Sequence, residues 1–348
     1  MRVLLINKFW KPFGGVEEHA FTLKRVLEEL GHDVQPFAMA DPENLPADLA
    51  PHFPSLVDFR GDGFSTKAKA LSRAVFGRAT LAGLRRVLDD HEFDVVHVLH
   101  TYHQLGTTLL PMLRRRGIPT VLSLHDYKVA CPNYRLFSDA TGRSCTRCLD
   151  NPKEALWAPA LTGCWSGSHF AGAMLSVEAA AVKAMGTYRK GANVVIVLNE
   201  LQRRAVAAAG VAPEIVRTIP HFVEVSGEPT VAGRHGALYV GRLVPEKGVD
   251  VLIRACAAAG VALRVAGDGR DRAELEGLAR ELDGDVQFLG PLGRDDVVAE
   301  MSRASVLCVP SLWHEVSPLV IIEAFGAGLP VIGTEMGGIP DLLRDGRG

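Results

Sequence analysis

Short, continuous apolar runs recur along this chain, and most of them lead into a turn and then into a segment of helical periodicity. The first is Val3–Ile6, and comparable runs follow at 94–99, 119–124, 193–198, 237–240, 261–266, 286–289 and 305–309. The strands of a parallel sheet are covered on both faces, so they read as unbroken apolar runs rather than as an alternation. The sequence therefore predicts an α/β chain built around parallel sheets.

Length and composition limit the class of protein. The 348 residues predict about two domains, and 47% hydrophobic and 22% charged residues are typical of a soluble globular protein. The formal net charge of −2 provides no general attraction to nucleic acid, so no such partner is expected. No apolar run reaches the ~18 residues of a membrane span, and the apolar N-terminal run is too short for a signal peptide. Six cysteines do not make a disulfide scaffold in a chain of this length, so a cytoplasmic protein is expected.

The segment 225–235 is rich in glycine, proline and polar residues, as is typical of a linker. It predicts a first domain over 1–224, with a cysteine-containing insert at 131–164, and a second domain over 236–348. The glycine turns that follow strands in the two domains lack the G-x-G-x-x-G dinucleotide motif. A nicotinamide-dependent dehydrogenase, which shares the layered α/β pattern, is therefore not favoured.

The stretch 313–330 predicts a buried helix with carboxylates near its start. Ser317 is a suitable N-cap and Pro318 a suitable first helical residue, and the segment that follows is almost entirely apolar. Glu315 then lies in the loop before the helix and Glu323 on its second turn. A carboxylate in an apolar helix is costly unless a polar group meets it, and a helix N-terminus attracts phosphate. The stretch therefore predicts a site for a phosphorylated ligand with hydroxyl groups, although a solvated Glu315 and a salt-bridged Glu323 are the structural alternative.

Two basic residues follow the first strand of the second domain, in the segment Gly241–Gly248. Arg242 and Lys247 would lie at the carboxyl end of that strand, where both could reach a diphosphate, Arg as a fork and Lys as a point charge. Fixed cations stabilise the charge that develops on a nucleoside diphosphate when its bond to a sugar breaks. The alternative is a helix cap beside an exposed lysine.

The first domain carries three further candidate features. Gly14 and Gly15 stand between a strand and a helix, where their N–H groups can approach a ligand or simply form a tight turn. His125 follows a predicted strand, and ligands of open α/β sheets lie beyond the carboxyl ends of strands; a histidine that only caps the strand is the alternative. His97 and His100 point to opposite faces of one strand, so they predict no metal site.

Four cysteines lie in a loop-rich part of the first domain: Cys131, Cys145, Cys148 and Cys164. Their number, and the Cys-x2-Cys pair among them, are compatible with a structural Zn2+ site in which four thiolates leave no open position. Free or redox-linked thiols are the alternative.

Two other segments allow more than one interpretation. Residues 36–64 lack periodicity and are rich in proline, aspartate and glycine, so they predict a long loop that could form part of an acceptor pocket. Residues 67–88 predict a basic helix that could rest on anionic lipid, although an ordinary solvated face explains its charges as well. A weak peripheral membrane contact is therefore a secondary expectation.

The motifs at 241–248 and 313–340 resemble those of the retaining glycosyltransferases of family 4, also called group 1, and the resemblance extends over nearly the whole chain. It implies the GT-B fold, in which two Rossmann-like, doubly wound parallel-sheet domains face a cleft and the second domain binds the donor. The implied reaction moves a sugar from a nucleotide diphosphate sugar to an acceptor hydroxyl, with retention of the anomeric configuration. No catalytic metal or other cofactor is implied, because Arg242 and Lys247 take the place of a metal on the diphosphate.

The resemblance also implies roles for single residues. Glu315 would contact the donor sugar, Glu323 the ribose of the nucleotide and His125 the transferred sugar, so His125 and Glu315 are the candidate catalytic residues. Gly14 and Gly15 would line the cleft near the donor phosphates and the acceptor. The donor-binding set also includes these residues of the second domain: Arg242, Lys247, Ser317 and Leu319.

The sequence does not identify the nucleotide base, the sugar or the acceptor, which is expected to be a glycan or a lipid-linked molecule in glycan, polysaccharide or glycolipid synthesis. A nucleotide-sugar epimerase of GT-B fold and a non-catalytic nucleotide-sugar-binding protein remain as alternatives. The loop at 36–64 favours an acceptor, and the two glutamates favour an enzyme. Chains of this family usually continue beyond the point where this one stops, so the second domain is expected to be truncated.

Overall fold

The computed structural model describes residues 1–57, 72, 73, 75–106, 108–224 and 233–344. The chain divides into two compact units. The first comprises Met1–Arg135 and Thr146–Ile219, and the second comprises Pro220–Gly348 with the short segment Leu136–Cys145. That short segment lies inside the predicted insert, and the sequence did not indicate that it would group with the second unit. Of the predicted linker, residues 225–232 lie outside the described part of the chain.

Six parallel strands form the sheet of the first unit. They are β1 (Arg2–Ile6), β2 (Asp33–Phe37), β3 (Val95–Val98), β4 (Thr120–Ser123), β5 (Val194–Val197) and β6 (Val216–Thr218). Their order across the sheet is β2-β1-β3-β4-β5-β6. The apolar residues of β1 are 0–3% exposed, as expected for a strand covered on both faces. The prediction of a parallel α/β architecture is confirmed.

The sequence did not predict the strand β2. It contains polar residues and Pro36, and the predicted loop at 36–64 overlaps only its last two residues. It lies at the edge of the sheet, where a residue without an N–H group is tolerated. The predicted loop at 36–64 therefore begins after β2, and its residues 58–64 lie outside the described part of the chain.

Eight helices of the first unit are described. They are α1 (Gly15–Glu29), α2 (Arg78–Asp90), α3 (Leu109–Arg115), α4 (Arg147–Asp150), α5 (Ala158–Thr162), α6 (His169–Met185), α7 (Thr187–Lys190) and α8 (Glu200–Ala208). The helix α6 begins where the Ser168 side chain accepts a hydrogen bond from Ala171 N, and it ends at Gly186 with φ +62°. Of the predicted basic helix at 67–88, the part from Arg78 onward lies in α2, and residues 67–71 lie outside the described residues.

Five parallel strands form the sheet of the second unit. They are β7 (Ala237–Val240), β8 (Leu263–Ala266), β9 (Val286–Gly290), β10 (Val306–Val309) and β11 (Val331–Gly333), in the order β9-β8-β7-β10-β11. The described helices are α9 (Val249–Ala259), α10 (Arg272–Glu281), α11 (Arg294–Arg303), α12 (Leu319–Gly326) and α13 (Ile339–Leu343). Separate apolar clusters line the two faces of this sheet.

Within the described residues, no helix has the length and apolar character needed to cross a bilayer. In both units the loops that follow the strands at their carboxyl ends carry the predicted site residues, which is the usual placement of ligand sites in open α/β sheets.

Candidate functional site

The basic loop of the second unit follows β7 and is held by backbone contacts to the loop after β8. Gly241 N donates to Ala266 O at 3.0 Å, and Leu243 N donates to Asp268 O at 2.9 Å. Gly267 has φ +136°, and a Cβ there would lie 1.9 Å from Gly241 O. Only glycine allows this approach, so the two loops are fixed against each other at the carboxyl edge of the sheet.

The two predicted phosphate ligands differ in their surroundings. Arg242 is exposed and forms no ion pair within the described part of the chain, while its carbonyl oxygen accepts a hydrogen bond from the buried Tyr239 hydroxyl at 2.9 Å. Lys247 ends a single 3-10 turn, Pro245–Lys247, which Gly248 closes with φ +66°. The arginine therefore keeps all its side-chain donors available to a ligand, on a backbone that Tyr239 anchors.

Glu315 is buried, with 7% exposure, and lies directly beside Lys247. Lys247 Nζ donates to Glu315 Oε1 at 2.6 Å, and Ser311 Oγ donates to the same oxygen at 2.6 Å. Burial alone would raise the pKa of the Glu315 carboxyl, but the charge of Lys247 and the hydrogen bonds from Lys247 and Ser311 outweigh it, and the net pKa lies below its usual value. The alternative of a solvated Glu315 is wrong, and the side chain is a buried carboxylate paired with the predicted phosphate ligand.

The glycines after β11 fix the backbone of Glu315. Gly337 has φ +65°, and a Cβ there would lie 2.1 Å from Glu315 O. The next residue, Gly338, donates its N–H to Glu315 O at 2.7 Å. The Gly337-Gly338 pair therefore positions the backbone of the candidate catalytic residue Glu315.

The helix that follows Glu315 begins later than predicted. Its first residue is Leu319 and Pro318 occupies the N-cap position, so the prediction of Ser317 as N-cap is wrong. Pro318 has ψ 113°, which is extended rather than helical, and the helix therefore cannot include it. Ser317 is 9% exposed, and its Oγ has no hydrogen-bond partner within the described residues. Glu323 lies on the second turn, as predicted, and is half-buried.

In the first unit, Gly14 and Gly15 stand at the start of α1 as predicted. Gly14 is the extended N-cap residue, Gly15 is the first helical residue, and both are exposed. Behind them, Asn7 Nδ2 donates to Glu17 Oε1 at 3.1 Å in the first helical turn. Burial raises the pKa of Glu17, although the hydrogen bond from Asn7 acts in the opposite direction.

The predicted histidine His125 is half-buried just after β4, and its ring lies 5.3 Å from that of His19. The neighbouring Asp126 lies 3.7 Å from His100 Nε2. Burial raises the pKa of Asp126 to about 7 and lowers that of His100 to about 3, so both groups favour their neutral forms in this enclosed region. His97, on β3, contacts the Ser123 hydroxyl at 2.7 Å instead of converging with His100.

Sequence reasoning missed a buried ionic network in the first unit. Lys128 Nζ donates to Glu178 Oε2 at 2.7 Å, and both side chains are almost fully buried. His103 Nδ1 lies 3.2 Å from Glu178 Oε1. Burial alone would raise the pKa of Glu178, but Lys128 and His103 outweigh it and lower it to about 2. The sequence did contain a signal for this network. Glu178 is the single acidic residue of the apolar helix α6, and a carboxylate in an apolar helix predicts a polar partner, as it does for Glu323.

None of the four cysteines forms a disulfide bond within the described residues. Within the described residues, no three of Cys131, Cys145, Cys148 and Cys164 bring their sulfurs within 4.8 Å of one another, which shared ligation of one ion requires. Cys131 Sγ instead donates to Asn133 Oδ1 at 2.9 Å. The zinc prediction is therefore not supported, because Cys-x2-Cys spacing alone does not bring the remaining two thiols into place.

Solved structures of low sequence identity share the fold. Sucrose-phosphate synthase from Thermosynechococcus elongatus superimposes with a TM-score of 0.67 and 20% identity, over 97% of this chain and 82% of that one. Anabaena Alr3699/HepE in complex with UDP and glucose gives a TM-score of 0.60 and 19% identity, over 98% of this chain and 82% of that one. The fold is GT-B, with two Rossmann-like domains.

Sequence comparison gives the family. A profile described as Glycosyltransferase Family 4 matches residues 13–226, and one described as Glycosyl transferases group 1 matches residues 229–348. The chain belongs to glycosyltransferase family 4, and it is a glycosyltransferase. A phosphatidyl-myo-inositol mannosyltransferase of Mycobacterium leprae is 26% identical over 96% of this chain and 78% of its own length. A D-inositol 3-phosphate glycosyltransferase of Mycolicibacterium paratuberculosis is 38% identical over 31% of this chain and 26% of its own length.

Proposed function

We propose that this glycosyltransferase transfers a sugar from a nucleotide diphosphate sugar to an acceptor hydroxyl with retention of configuration, and that its second unit binds the donor. The observation that carries the proposal is the buried contact of Lys247 with Glu315, 2.6 Å long, beside the helix α12. It places a cation and a carboxylate of lowered pKa at the carboxyl edge of a parallel sheet, where α/β proteins bind nucleotides.

Each group of this site suits one part of such a donor. The Arg242 guanidinium is exposed and can grip a diphosphate through two parallel hydrogen bonds, and Lys247 adds a point charge. Both cations stabilise the leaving diphosphate more strongly as its charge grows, so no metal is required for that step. Ser317 Oγ, buried near the first turn of α12, offers a donor for a phosphate or sugar oxygen.

The carboxylates suit the hydroxyl groups of the donor. Glu315 stays anionic because its pKa is lowered, so it can accept hydrogen bonds from hydroxyls of the transferred sugar. Glu323, on the second turn of α12, is proposed to accept from the ribose, and Leu319 to contact the nucleotide. For the first unit we propose that His125 contacts the transferred sugar and that Gly14 and Gly15 contribute N–H groups at the start of α1.

The relatives support narrower choices of substrate. Because Anabaena Alr3699/HepE was solved with UDP and glucose, uridine is the first base to test. Because a relative over 96% of this chain is a phosphatidyl-myo-inositol mannosyltransferase, we propose a lipid-linked acceptor and peripheral contact with a membrane on its cytoplasmic side.

The test is turnover of UDP-, GDP- and ADP-sugars without added metal, with the anomeric configuration of the product read by NMR. Glu315→Gln keeps the shape of the side chain but removes the charge that anchors Lys247, so turnover should fall by roughly 100-fold. Glu281→Gln, at an exposed position in the same unit, is the matched control and should leave turnover unchanged. An inverted product, or equal losses in the two variants, would refute the proposal.

A further inference from the structure

A cavity of about 380 Å3 lies within the first unit, and the Lys128–Glu178 pair forms part of its lining. It is enclosed by residues 128–132, the turn at 152–156, the C-terminal half of α6, α7 and the end of α8. Most of its wall is formed by small or branched apolar side chains, among them Val129, Pro132, Leu156, Ala179, Val182 and Ala208. Its size falls in the range of small-molecule sites, roughly 300–1,000 Å3.

The two charged groups that line the interior of this cavity are paired with each other. Lys128 and Glu178 both line it, and they are paired with each other at 2.7 Å. Lys128 Nζ also donates to Pro132 O at 2.6 Å, and His103 contacts the other Glu178 oxygen at 3.2 Å. This pair therefore presents no unmet charge to a ligand, and an apolar chain beside it leaves neither charged group unpaired.

The rim of the cavity is positively charged. Lys183, in the last turn of α6, and Arg189, in α7, both line it and are exposed. Neither forms an ion pair within the described part of the chain. The stem of Arg189 lies near Gly210, another residue of the lining, where an added Cβ would be 3.5 Å from Arg189 Cδ. Two unpaired cations beside an apolar interior are complementary to a ligand with an anionic head and a hydrocarbon tail.

Exposed apolar side chains lie on α5 and on α6, the helix whose C-terminal half lines the cavity. These helices pack closely, because a Cβ at Gly172 would lie only 1.9 Å from Pro159 O. Leu161 on α5 is 68% exposed and Val177 on α6 is 53% exposed. Val177 precedes Glu178, which lines the cavity, so the exposed face lies next to the cavity-lining face of the same helix. Exposed apolar side chains together with basic residues are typical of a surface that rests on a membrane.

We propose that this cavity binds one hydrocarbon chain of an anionic membrane lipid, with the headgroup on Lys183 and Arg189 and with Leu161 and Val177 in contact with the lipid surface. This site rests on the membrane contact proposed above. Its residues all belong to the first unit and are not in the proposed donor-binding set, so its role is to tether the enzyme to the lipid surface. It also differs from the membrane contact that the sequence suggested, since that one would use the basic helix now seen as α2.

The test of the cavity is calorimetric titration with octyl, decyl and dodecyl phosphate, each below its micellar concentration. Each added methylene that enters the cavity should strengthen binding about fourfold. Lys183→Glu combined with Arg189→Glu should weaken dodecyl phosphate binding by at least tenfold. The matched control, Arg85→Glu with Arg86→Glu on the exposed face of α2, should leave it unchanged.

The test of the surface is flotation with vesicles of phosphatidylcholine, with and without phosphatidylglycerol. Binding is expected only to the anionic vesicles, and Leu161→Ser with Val177→Ser should weaken it while dodecyl phosphate binding persists. Alkyl phosphates that bind with no dependence on chain length, or that do not bind, would overturn the proposal. An equal loss of vesicle binding in the Arg85/Arg86 control would also overturn it, because it would place the contact on α2.

Discussion

Replacing Lys247 with methionine should destabilise the second unit and reverse the response of its stability to pH. The substitution removes the cation 2.6 Å from the buried Glu315 carboxylate and leaves uncharged donors such as Ser311. Breaking a buried ion pair by removing one partner costs about 3–5 kcal/mol. Because the Lys247 side chain is 18% exposed, the lower end applies. About 3 kcal/mol corresponds to roughly a 150-fold larger population of the opened unit.

The pH response follows from the sign of the Glu315 shift. In the unmodified protein the pKa of Glu315 is lowered, so its contribution to stability is present above its ordinary value of 4.5 and is lost as the pH falls through the lowered pKa. In Lys247→Met only burial and neutral donors remain, and burial raises the pKa. The variant should therefore recover stability on acidification from about pH 7 to pH 5, where the unmodified protein does not.

Hydrogen exchange read by mass spectrometry in peptides of β7 and β10 measures this directly, because it reports the opening of the second unit alone. Lys247→Met should speed exchange by roughly 100-fold at pH 7. Adding Glu315→Gln, which removes the stranded charge, should restore most of the protection. The control Arg254→Met, at an exposed position of α9, should change exchange little. If Lys247→Met exchanges like the control, or if adding Glu315→Gln restores no protection from exchange, Lys247 and Glu315 do not form a buried ion pair.

Three other substitutions test separate parts of the account. Burial raises the pKa of Asp126 from 3.8 to about 7. The contribution of this carboxyl group to folding stability is therefore fully present below about pH 4 and is lost as the pH rises through 7, and Asp126→Asn should remove that loss in thermal unfolding. Gly337→Ala should weaken nucleotide binding by about tenfold in calorimetry, because the added Cβ would displace the backbone of Glu315. The control Gly277→Ala, on α10 where an added Cβ meets no close neighbour, should leave the stability unchanged or raise it by about 0.5 kcal/mol. Glu178→Gln strands a buried lysine and should cost the first unit about 3 kcal/mol in urea unfolding, a loss much larger than that of a surface substitution.

Much of the fold could be predicted from local patterns in the sequence. Strands such as β1 and β5 are covered on both faces, and this produces apolar runs that can be read without knowledge of their neighbours. The strand β2 could not be recognised this way, because an edge strand tolerates polar residues and Pro36. The predicted start of α12 is one residue too early, because Pro318 suits a first helical position by residue type but its extended ψ of 113° makes it the N-cap and Leu319 the first helical residue.

The candidate site shows a similar division. Motif spacing singled out Lys247 and Glu315, but their contact joins residues 68 positions apart and depends on how β7 and β10 lie side by side. The role of Gly337 also depends on the three-dimensional arrangement, because a Cβ at this position would lie 2.1 Å from the carbonyl oxygen of Glu315. Cysteine spacing gave the zinc prediction, and spacing does not determine where two further thiols lie in space.

The most direct test of the central claim is calorimetric titration of UDP, GDP and ADP, without added metal, into the protein and into Arg242→Ala. Arg242 is exposed and unpaired within the described residues, so its loss should change binding without changing the fold. One nucleotide is expected to bind, and Arg242→Ala should weaken that binding by at least about tenfold, which is the contribution of a hydrogen bond to a charged group. The control Arg254→Ala, exposed on α9 of the same unit, should bind as the unmodified protein does. No binding of any nucleotide, or equal weakening by the two substitutions, would contradict a donor site on this loop.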